Sequence, residues 1–550
     1  MAYEGPSARA RGSVIENRCH ESVNGTPGNA SLFQMPQEIE LKLALDPRDV
    51  PALRESSILR EPVVKHTDRR RLVSIYYDTP SFSLARSGIM LRVRKSGREH
   101  TQCIKMNAAE GRSLNQRMES ESSIRGDRPD LTRIADPDVR RLIERRAAND
   151  DLAAVFVTNV ARETWLLQLG RSQIECAIDR GVITSNGKKM PTCEVKLELK
   201  SGQPAGLFQL AHRLNTVVPL RIETASKAAR GYDLIGHAKH VASMATPVHI
   251  NRAMSVRDCF AAIAQPCLAH VLASADFAYT SDDPQGVHHL RVAIRCMRAA
   301  FSIFRSAMLQ NHWLRLGDEL RTLQQQLGAA REWDVLVEET IASMPRKLRK
   351  QRSTEHLVRI AQTKRAEGDE SAHAALRNPQ YTDTLLRLAS WVDGQFGSDE
   401  PPASVRKWKP DVLDHSAPSF GAEVMRGYRD KVRKLGRKIR KLDAAELHRL
   451  RIRAKKLRYA AEFFAGIWSS RRTKRYLSAL KDLQQLLGEL HDATVAEGLV
   501  ARLSMDEGSD AKFAAESVNR WLTKSQRRGR NEIIGLWSKF AKQKLFWEDV

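Results

Sequence analysis

Charged residues alternate with apolar ones in the stretch QEIELKLALD at 37–46, which places Glu38, Glu40 and Lys42 on one side and Ile39, Leu41 and Leu43 on the other. Period-two alternation puts successive side chains on opposite faces of a strand. Two carboxylates and an ammonium facing water would merely solvate a sheet. Facing a shared cavity, they form part of a charged site. The same alternation groups Arg92 with Arg94, and Arg117 with Glu119 and Glu121. It also groups Glu175 with Asp179, and Glu194 with Lys196, Glu198 and Lys200. Alternation alone does not say which face is enclosed, so both readings stand at this point.

A second set follows a helical period. His288, Arg291, Arg295 and Arg298 fall at i, i+3, i+7 and i+10, and His448, Arg451, Lys455 and Arg458 repeat that spacing. Leu290, Ile294 and Met297, or Leu450, Ala454 and Leu457, take the opposite side. Charge on a helix ordinarily marks a solvated face. These stripes carry almost no acid, and like charges so placed cost roughly 0.2–0.5 kcal/mol per neighbouring pair. An anionic ligand would offset that cost, and histidines partly protonated near neutral pH would add to its binding. A further basic helix is expected over 429–443, RDKVRKLGRKIRKLD.

The elements that must carry these residues divide the chain in two. From 35 to about 200 the period is two, with strands expected in RRRLVSIYYDTP, IMLRVRKSG, LNQRMESESSI, SQIECAIDRG and PTCEVKLELKSG. Helices are expected over 136–156 and 202–215. From about 255 the period becomes 3.6. The fold class is α+β: an antiparallel β-rich domain, then an all-α domain. The α half is duplicated, because VHHLRVAIRCMRAAFSIF recurs as LHRLRIRAKKLRYAAEFF, and LQQQLGAAREWDV as LQQLLGELHDATV, both displaced by 160 residues. Glu332 in the first copy stands where the second has Asp492.

The totals agree with two domains. The chain has 550 residues, 42% of them hydrophobic, and a formal charge of +25. That charge predicts polyanionic partners rather than a fold. Seven scattered cysteines with no Cys-x-x-Cys pair read as reduced thiols of a cytoplasmic protein. No apolar run approaches the length of a membrane span, so no membrane association is expected. Residues 1–34 lack an apolar core and read as a disordered tail.

EIELK, followed in order by YYDTPSFSLARSGIMLRVR, CIKMNAAEGRSLNQRMESE, ARETWLL, AIDRGVI and ETASKAARGYDL, resembles the CYTH domain of the triphosphate tunnel metalloenzymes. The resemblance spans roughly 36–240 and implies an eight-stranded antiparallel tunnel whose charged faces point inward. It implies catalytic roles for Glu38, Glu40 and Lys42, and substrate contacts from Arg92, Arg94, Lys105, Arg117, Lys227 and Arg230. It implies Mg²⁺ or Mn²⁺ held among Glu38, Glu40, Glu119, Glu121, Asp179, Glu194 and Glu198. The late strand departs from the family: CEVKLEL sets Lys196 where alternating acids are usual. The basic stripes, with LGAAREWDV and LGELHDATV, resemble the CHAD domain over about 253–535. That resemblance implies paired helical bundles and polyphosphate binding by His288, Arg291, Arg295, Arg298, His448, Arg451, Lys455 and Arg458.

The expected organisation is thus a tail at 1–34, a tunnel domain at 35–240, a linker at 241–252, a helical domain at 253–535 and a tail at 536–550. The expected function is metal-dependent hydrolysis of inorganic triphosphate joined to polyphosphate binding, in the cytoplasm or at polyphosphate granules. The alternatives are a non-catalytic polyphosphate binder with a tunnel impaired at Lys196, and a basic protein associated with nucleic acid. Low aromatic content in the stripes argues against stacking on single strands.

Overall fold

The computed structural model describes residues 37–60, 63–107, 115–147, 151–237, 248–281, 283, 285–308, 310–393, 412, 415–506 and 508–548. The expected tail at 1–34 lies outside them, as does most of the expected linker. Among the described residues, the first half holds nine antiparallel strands: β1 (Gln37–Leu45), β2 (Val63–Asp78), β3 (Ile89–Ser96), β4 (Glu99–Asn107), β5 (Asn115–Ile124), β6 (Ala153–Leu169), β7 (Ser172–Ser185), β8 (Lys188–Ser201) and β9 (Leu220–Ile222).

Their order is β5-β4-β3-β2-β6-β7-β8-β1-β9, and β5 also pairs with β1. That last pairing joins the two ends, so eight strands close on themselves. One edge of β1 is shared: residues 37–40 pair with β5, and residues 43–45 pair with the short β9. The ninth strand is therefore an addition to the expected eight and does not open the ring. Closure removes the free edges that an open sheet would expose.

The apolar faces point outward and are covered by helices. Leu41 and Leu43 share a core with Val195, Leu197 and Ile178, and with Leu207, Leu210 and Leu214 of helix Ala205–Asn215. On the far wall Leu91, Val93 and Ile104 share a core with Val139 and Ile143 of helix Pro137–Ala147. That helix is shorter than expected. Ala153–Phe156 belong to β6, where they pair with Tyr76, Tyr77 and Asp78 of β2, so cross-strand pairing overrode a helical pattern.

The second half is helical. Helices Gln285–Phe304 and Ala444–Phe464 carry the two basic stripes, and Leu290, Ile294, Met297, Leu450, Ala454 and Leu457 are fully buried beneath them. The basic segment at 429–443 is not one helix: the helix stops at Gly436, and Ile439–Lys441 form a separate 3-10 turn. A Cβ at Gly436 would lie 2.1 Å from the Trp537 ring. Helix Val256–Thr280 has the length and composition of a membrane span, contrary to the expectation, yet much of it is packed inside the bundle. The expected tail after 535 is also packed, since helix Gly508–Ala541 continues past it and Phe546 and Trp547 are buried against Tyr476.

The halves meet around β9. Thr382 Oγ1 donates to the Leu220 carbonyl at 2.6 Å, and Asn215 Nδ2 donates to Asp383 at 2.9 Å. Arg221 pairs with Asp276 and lies 4.4 Å over the Tyr279 ring.

Candidate functional site

Around the closed ring, the register carries the charged face of each strand inward. Glu40 lies opposite Glu198 and Lys42 opposite Lys196; Glu194 lies opposite Asp179, and Asp179 opposite Arg162. On the other wall Arg92 lies opposite Tyr76 and Cys103, and Lys105 opposite Glu119. Glu40, Asp179 and Glu194 are only 2%, 0% and 1% exposed. Water-facing charges would not be so enclosed, so the inward reading holds for these strands. Arg117 faces Glu38 by backbone register; its side chain lies outside the described residues.

The lumen side chains sort into three groups. The first is built on Lys196, whose Nζ bonds Glu38 Oε1, reaches Glu198 Oε2 at 2.8 Å, and lies 3.1 Å from Glu40 Oε2. The second oxygen of each acid meets another lysine: Glu38 meets Lys105, Glu40 meets Lys42 at 2.6 Å, and Glu198 meets Lys200. Burial by itself would raise the Glu38 pKa, but Lys196 and Lys105 pull it well below the carboxylate range. Glu40, likewise raised by burial, is brought down to about 2 by Lys42 and Lys196.

The second group holds Asp179 and Glu194. Asp179 accepts a bidentate pair from Arg162 at 2.6 and 2.7 Å and a bond from Lys227 at 2.6 Å. Glu194 binds Lys227 and Arg230, and Arg230 also lies 3.6 Å from Glu223. Despite burial, both Asp179 and Glu194 are held below the usual range by these cations. Glu223 is pushed the other way, by burial and by Asp276.

The third group is a cationic wall. Arg92 lies 3.7 Å from Glu119, and Arg94 4.0 Å from Glu121. The Nε atoms of both arginines are buried and, among the described residues, have no hydrogen-bond partner. Arg94 is lowered to about 10, first by Arg92 and then by burial and Arg162. Cys103 donates to Glu119 at 3.0 Å, and burial raises its thiol to about 11.

The seven acids expected to hold metal are thus divided between groups. Their hard oxygens suit Mg²⁺ or Mn²⁺, but a divalent ion does not fit among Glu38, Glu40 and Glu198 while Lys196 Nζ stands there. Among the described residues, only Cys103, Glu119 and Glu121 bring three ligand atoms within 4.8 Å of one another. Two of these are hard donors, and the third is a thiol that stays protonated.

Arg162, Cys103 and Glu223 were missed by sequence reading. Arg162 was within reach, because ARETWLL alternates and sets it on the face opposite Ala161 and Glu163. Cys103 looked apolar, and β9 is too short to show a period.

The helical half adds a basic cleft. A cavity of about 500 Å³ is lined by Arg295, Arg298, Arg305, Arg321, Lys455 and Lys456, with Asp318 its one acid. It brings together Arg295 and Arg298 from the first stripe and Lys455 from the second. Arg291 instead donates to the Gln324 carbonyl at 3.0 Å, Arg451 lies 3.7 Å from Asp492, and Arg458 pairs with Glu462 at 3.1 Å. Gly328 and Gly488, also 160 residues apart, lie beside Arg291 and Arg451; a Cβ at Gly328 would meet the Arg291 guanidinium at 3.1 Å.

Burial disfavours protonation of the stripe histidines, against the expectation that they add charge near neutral pH. Burial and then Arg331 bring His288 down to about 4. His448 is lowered by burial and Arg451, and its Nδ1 lies 3.0 Å from Nδ1 of His491, which burial and Arg451 bring to about 4. Lys455 is lowered to about 7 by burial, Arg451 and Arg295.

Comparison with known proteins agrees with this division. Residues 36–232 match the CYTH domain, and residues 262–501 match the CHAD domain. A 200-residue stretch is 32% identical to an inorganic triphosphatase of Haemophilus influenzae, covering 36% of this chain and 55% of that protein. The chain therefore spans about half the length of that relative. Among solved structures, the CHAD domain of the plant Ricinus communis is 26% identical, over 56% of this chain and 98% of that one, with a TM-score of 0.48. A Hippeastrum protein described as having a dominant triphosphatase activity is 17% identical, over 36% of this chain and 95% of that one, with a TM-score of 0.26. The chain thus carries a CYTH domain at 36–232 and a CHAD domain at 262–501.

Proposed function

We propose that the tunnel hydrolyses inorganic triphosphate and that the helical half binds polyphosphate. The observation that carries the first part is the pair of buried, unpartnered Nε–H groups of Arg92 and Arg94. A buried donor without an acceptor costs about 1–3 kcal/mol, and a triphosphate offers acceptor oxygens at every phosphorus. The 32% identity to an inorganic triphosphatase supports the same substrate.

Arg92, Arg94 and Lys105 would hold the phosphate chain from one wall, with Arg117 beside them and Lys227 and Arg230 toward the other end. Glu40, at about 2, stays ionised throughout the neutral range. It therefore orients water as a hydrogen-bond acceptor and is a poor store for a proton. Glu38 and Lys42 belong to the same strand face and complete that positioning. Phosphoryl transfer gains most from positioning and charge stabilisation, which a rigid strand face supplies.

CYTH triphosphatases are metal-dependent in general. Here Mg²⁺ or Mn²⁺ enters with the triphosphate it chelates, as part of the substrate. In the helical half, the cavity shared by Arg295, Arg298 and Lys455 supports an elongated polyanion. Cytoplasmic location, and association with polyphosphate granules, belong to the same proposal.

The test is phosphate release from inorganic triphosphate by the full chain with Mg²⁺ or Mn²⁺, beside release from ATP and pyrophosphate. Preferential cleavage of triphosphate, lost with EDTA, is expected. Tight triphosphate binding without release would instead favour a non-catalytic polyphosphate binder, the reading that Lys196 among the acids supports. Duplex DNA outcompeting polyphosphate at equal phosphate concentration would replace the polyphosphate reading with a nucleic-acid one.

A further inference from the structure

Lys196 is surrounded in a way that a phosphate-binding lysine is not. An ammonium has three N–H donors and no acceptor. Its three neighbours here are carboxylates of Glu38, Glu198 and Glu40, the last two at 2.8 and 3.1 Å. All three donors are spoken for, which leaves none for a substrate oxygen.

The strands explain how it reaches all three. Lys196 lies opposite Lys42 on β1 and Ala177 on β7. Ala177 is small and buried, so the lysine leans toward β1, where Glu38 and Glu40 stand on the same face. Glu198 is two residues along its own strand and so shares its face. The remaining oxygens of the three acids go to Lys105, Lys42 and Lys200. Three acids and four lysines make a hub with a net charge near +1.

Carboxylates converging from two strands onto one point form the donor set that a hard divalent ion takes. That point holds a covalently tethered cation instead. A glutamate at 196 would lower the local charge by two, which is the charge one such ion would restore.

We propose that Lys196 is a resident internal cation, occupying the place among Glu38, Glu40 and Glu198 that a divalent ion would otherwise take. The tunnel then holds no ion of its own at that point, and the divalent ion it uses arrives with the triphosphate. Lys196 is a positioning residue: it fixes Glu38 and Glu40 without touching substrate. This inference rests on the lumen being the phosphate site.

The experiment counts Mn²⁺ bound to the full chain without triphosphate, by electron paramagnetic resonance of free Mn²⁺, in the unmodified chain, K196S, K196E and each of these with E40Q. About one additional tightly held Mn²⁺ per chain is expected in K196S and K196E, lost again with E40Q. E40Q alone is expected to leave the count of the unmodified chain unchanged. A tight Mn²⁺ in the unmodified chain that E40Q removes would overturn the proposal, and so would folded Lys196 variants that gain no ion. The comparison of the unmodified chain with E40Q decides the matter even where Lys196 variants do not fold. Because triphosphate is absent, a chain that never cuts triphosphate can still pass this test, so its failure and that of the activity reading are separable.

Discussion

Arg295 Nε donates to the Tyr459 hydroxyl at 3.2 Å, a bond between residues 164 positions apart in the two repeats. It ties the two basic helices together at the cavity they share, and Tyr459 lines that cavity beside Lys455. Replacing Arg295 or Lys455 with alanine should weaken polyphosphate binding by about ten- to a hundredfold each, in line with about 1.5–3 kcal/mol for a hydrogen bond to a charged group. Tyr459→Phe should cost less, because it removes only the orienting contact. Fluorescence anisotropy with a labelled polyphosphate of defined length checks all three, and equal losses would contradict the assigned roles.

Polyphosphate binding should weaken as pH rises through neutrality. Burial, with Arg451 and Arg295, lowers Lys455 to about 7, so it is neutral above that value and charged below it. A bound polyanion favours the charged form and draws a proton onto the site. Affinity should therefore be higher at about pH 6 than at about pH 8, and Lys455→Arg should flatten the difference, since an arginine stays charged throughout. Calorimetry in buffers of different ionisation enthalpy reads the proton uptake directly.

Acid should destabilise the helical half in the absence of ligand. His288 and His491 lie near 4 in the fold, chiefly through burial, below their ordinary value of 6.5. The unfolded chain thus binds more protons between those limits, and stability falls as pH drops from about 6.5 toward 4. Thermal unfolding across that range measures the slope, and His288→Gln with His491→Gln should reduce it.

Arg92→Ala and Arg94→Ala should each lower kcat/KM for triphosphate by about 10²–10³, the usual loss when one donor to developing charge is removed. Lysine at either position should recover only part of that, because it lacks the planar guanidinium donors. Circular dichroism separates this from misfolding. Unchanged activity in Arg92→Ala would remove the arginine wall from the reaction.

Breaking the Arg221–Asp276 pair should loosen the two halves. Asp276 is almost fully buried and Arg221 is 20% exposed, so Asp276→Ala leaves a guanidinium partly stranded at the interface. A cost of about 2–4 kcal/mol is expected, discounted for that exposure. Calorimetry should then show separated transitions for the tunnel and the bundle. A single transition at the original temperature would mean that the halves are held by their other contacts, the Thr382–Leu220 and Asn215–Asp383 hydrogen bonds among them.

Most of the elements were legible because hydrophobic periodicity is a local property. The alternation in EIELK and CEVKLEL marks strands, and the displacement of 160 residues aligns helix Gln285–Phe304 with helix Ala444–Phe464. Ala153–Phe156 were misread because the segment is helix-compatible on its own, and only its pairing with β2 makes it strand. The basic stripe was legible as a stripe. Its division between the cavity and contacts to Gln324, Asp492 and Glu462 was not, because spacing along one helix says nothing about its neighbours.

Local pattern was enough to tell which residues share a face, where the period changes from two to 3.6, and that the helical half is duplicated. These follow from backbone geometry, which sets side-chain direction within each element. Tertiary structure alone decided which face is enclosed. The contact of residues 37–40 with 115–118 closes the ring, and closure is a pairing of distant segments. It also decided that Lys196 is held by three acids and that burial lowers His288, His448 and His491. Those outcomes depend on charges brought together from separate strands and helices and on how far each is removed from water, and no local pattern records either.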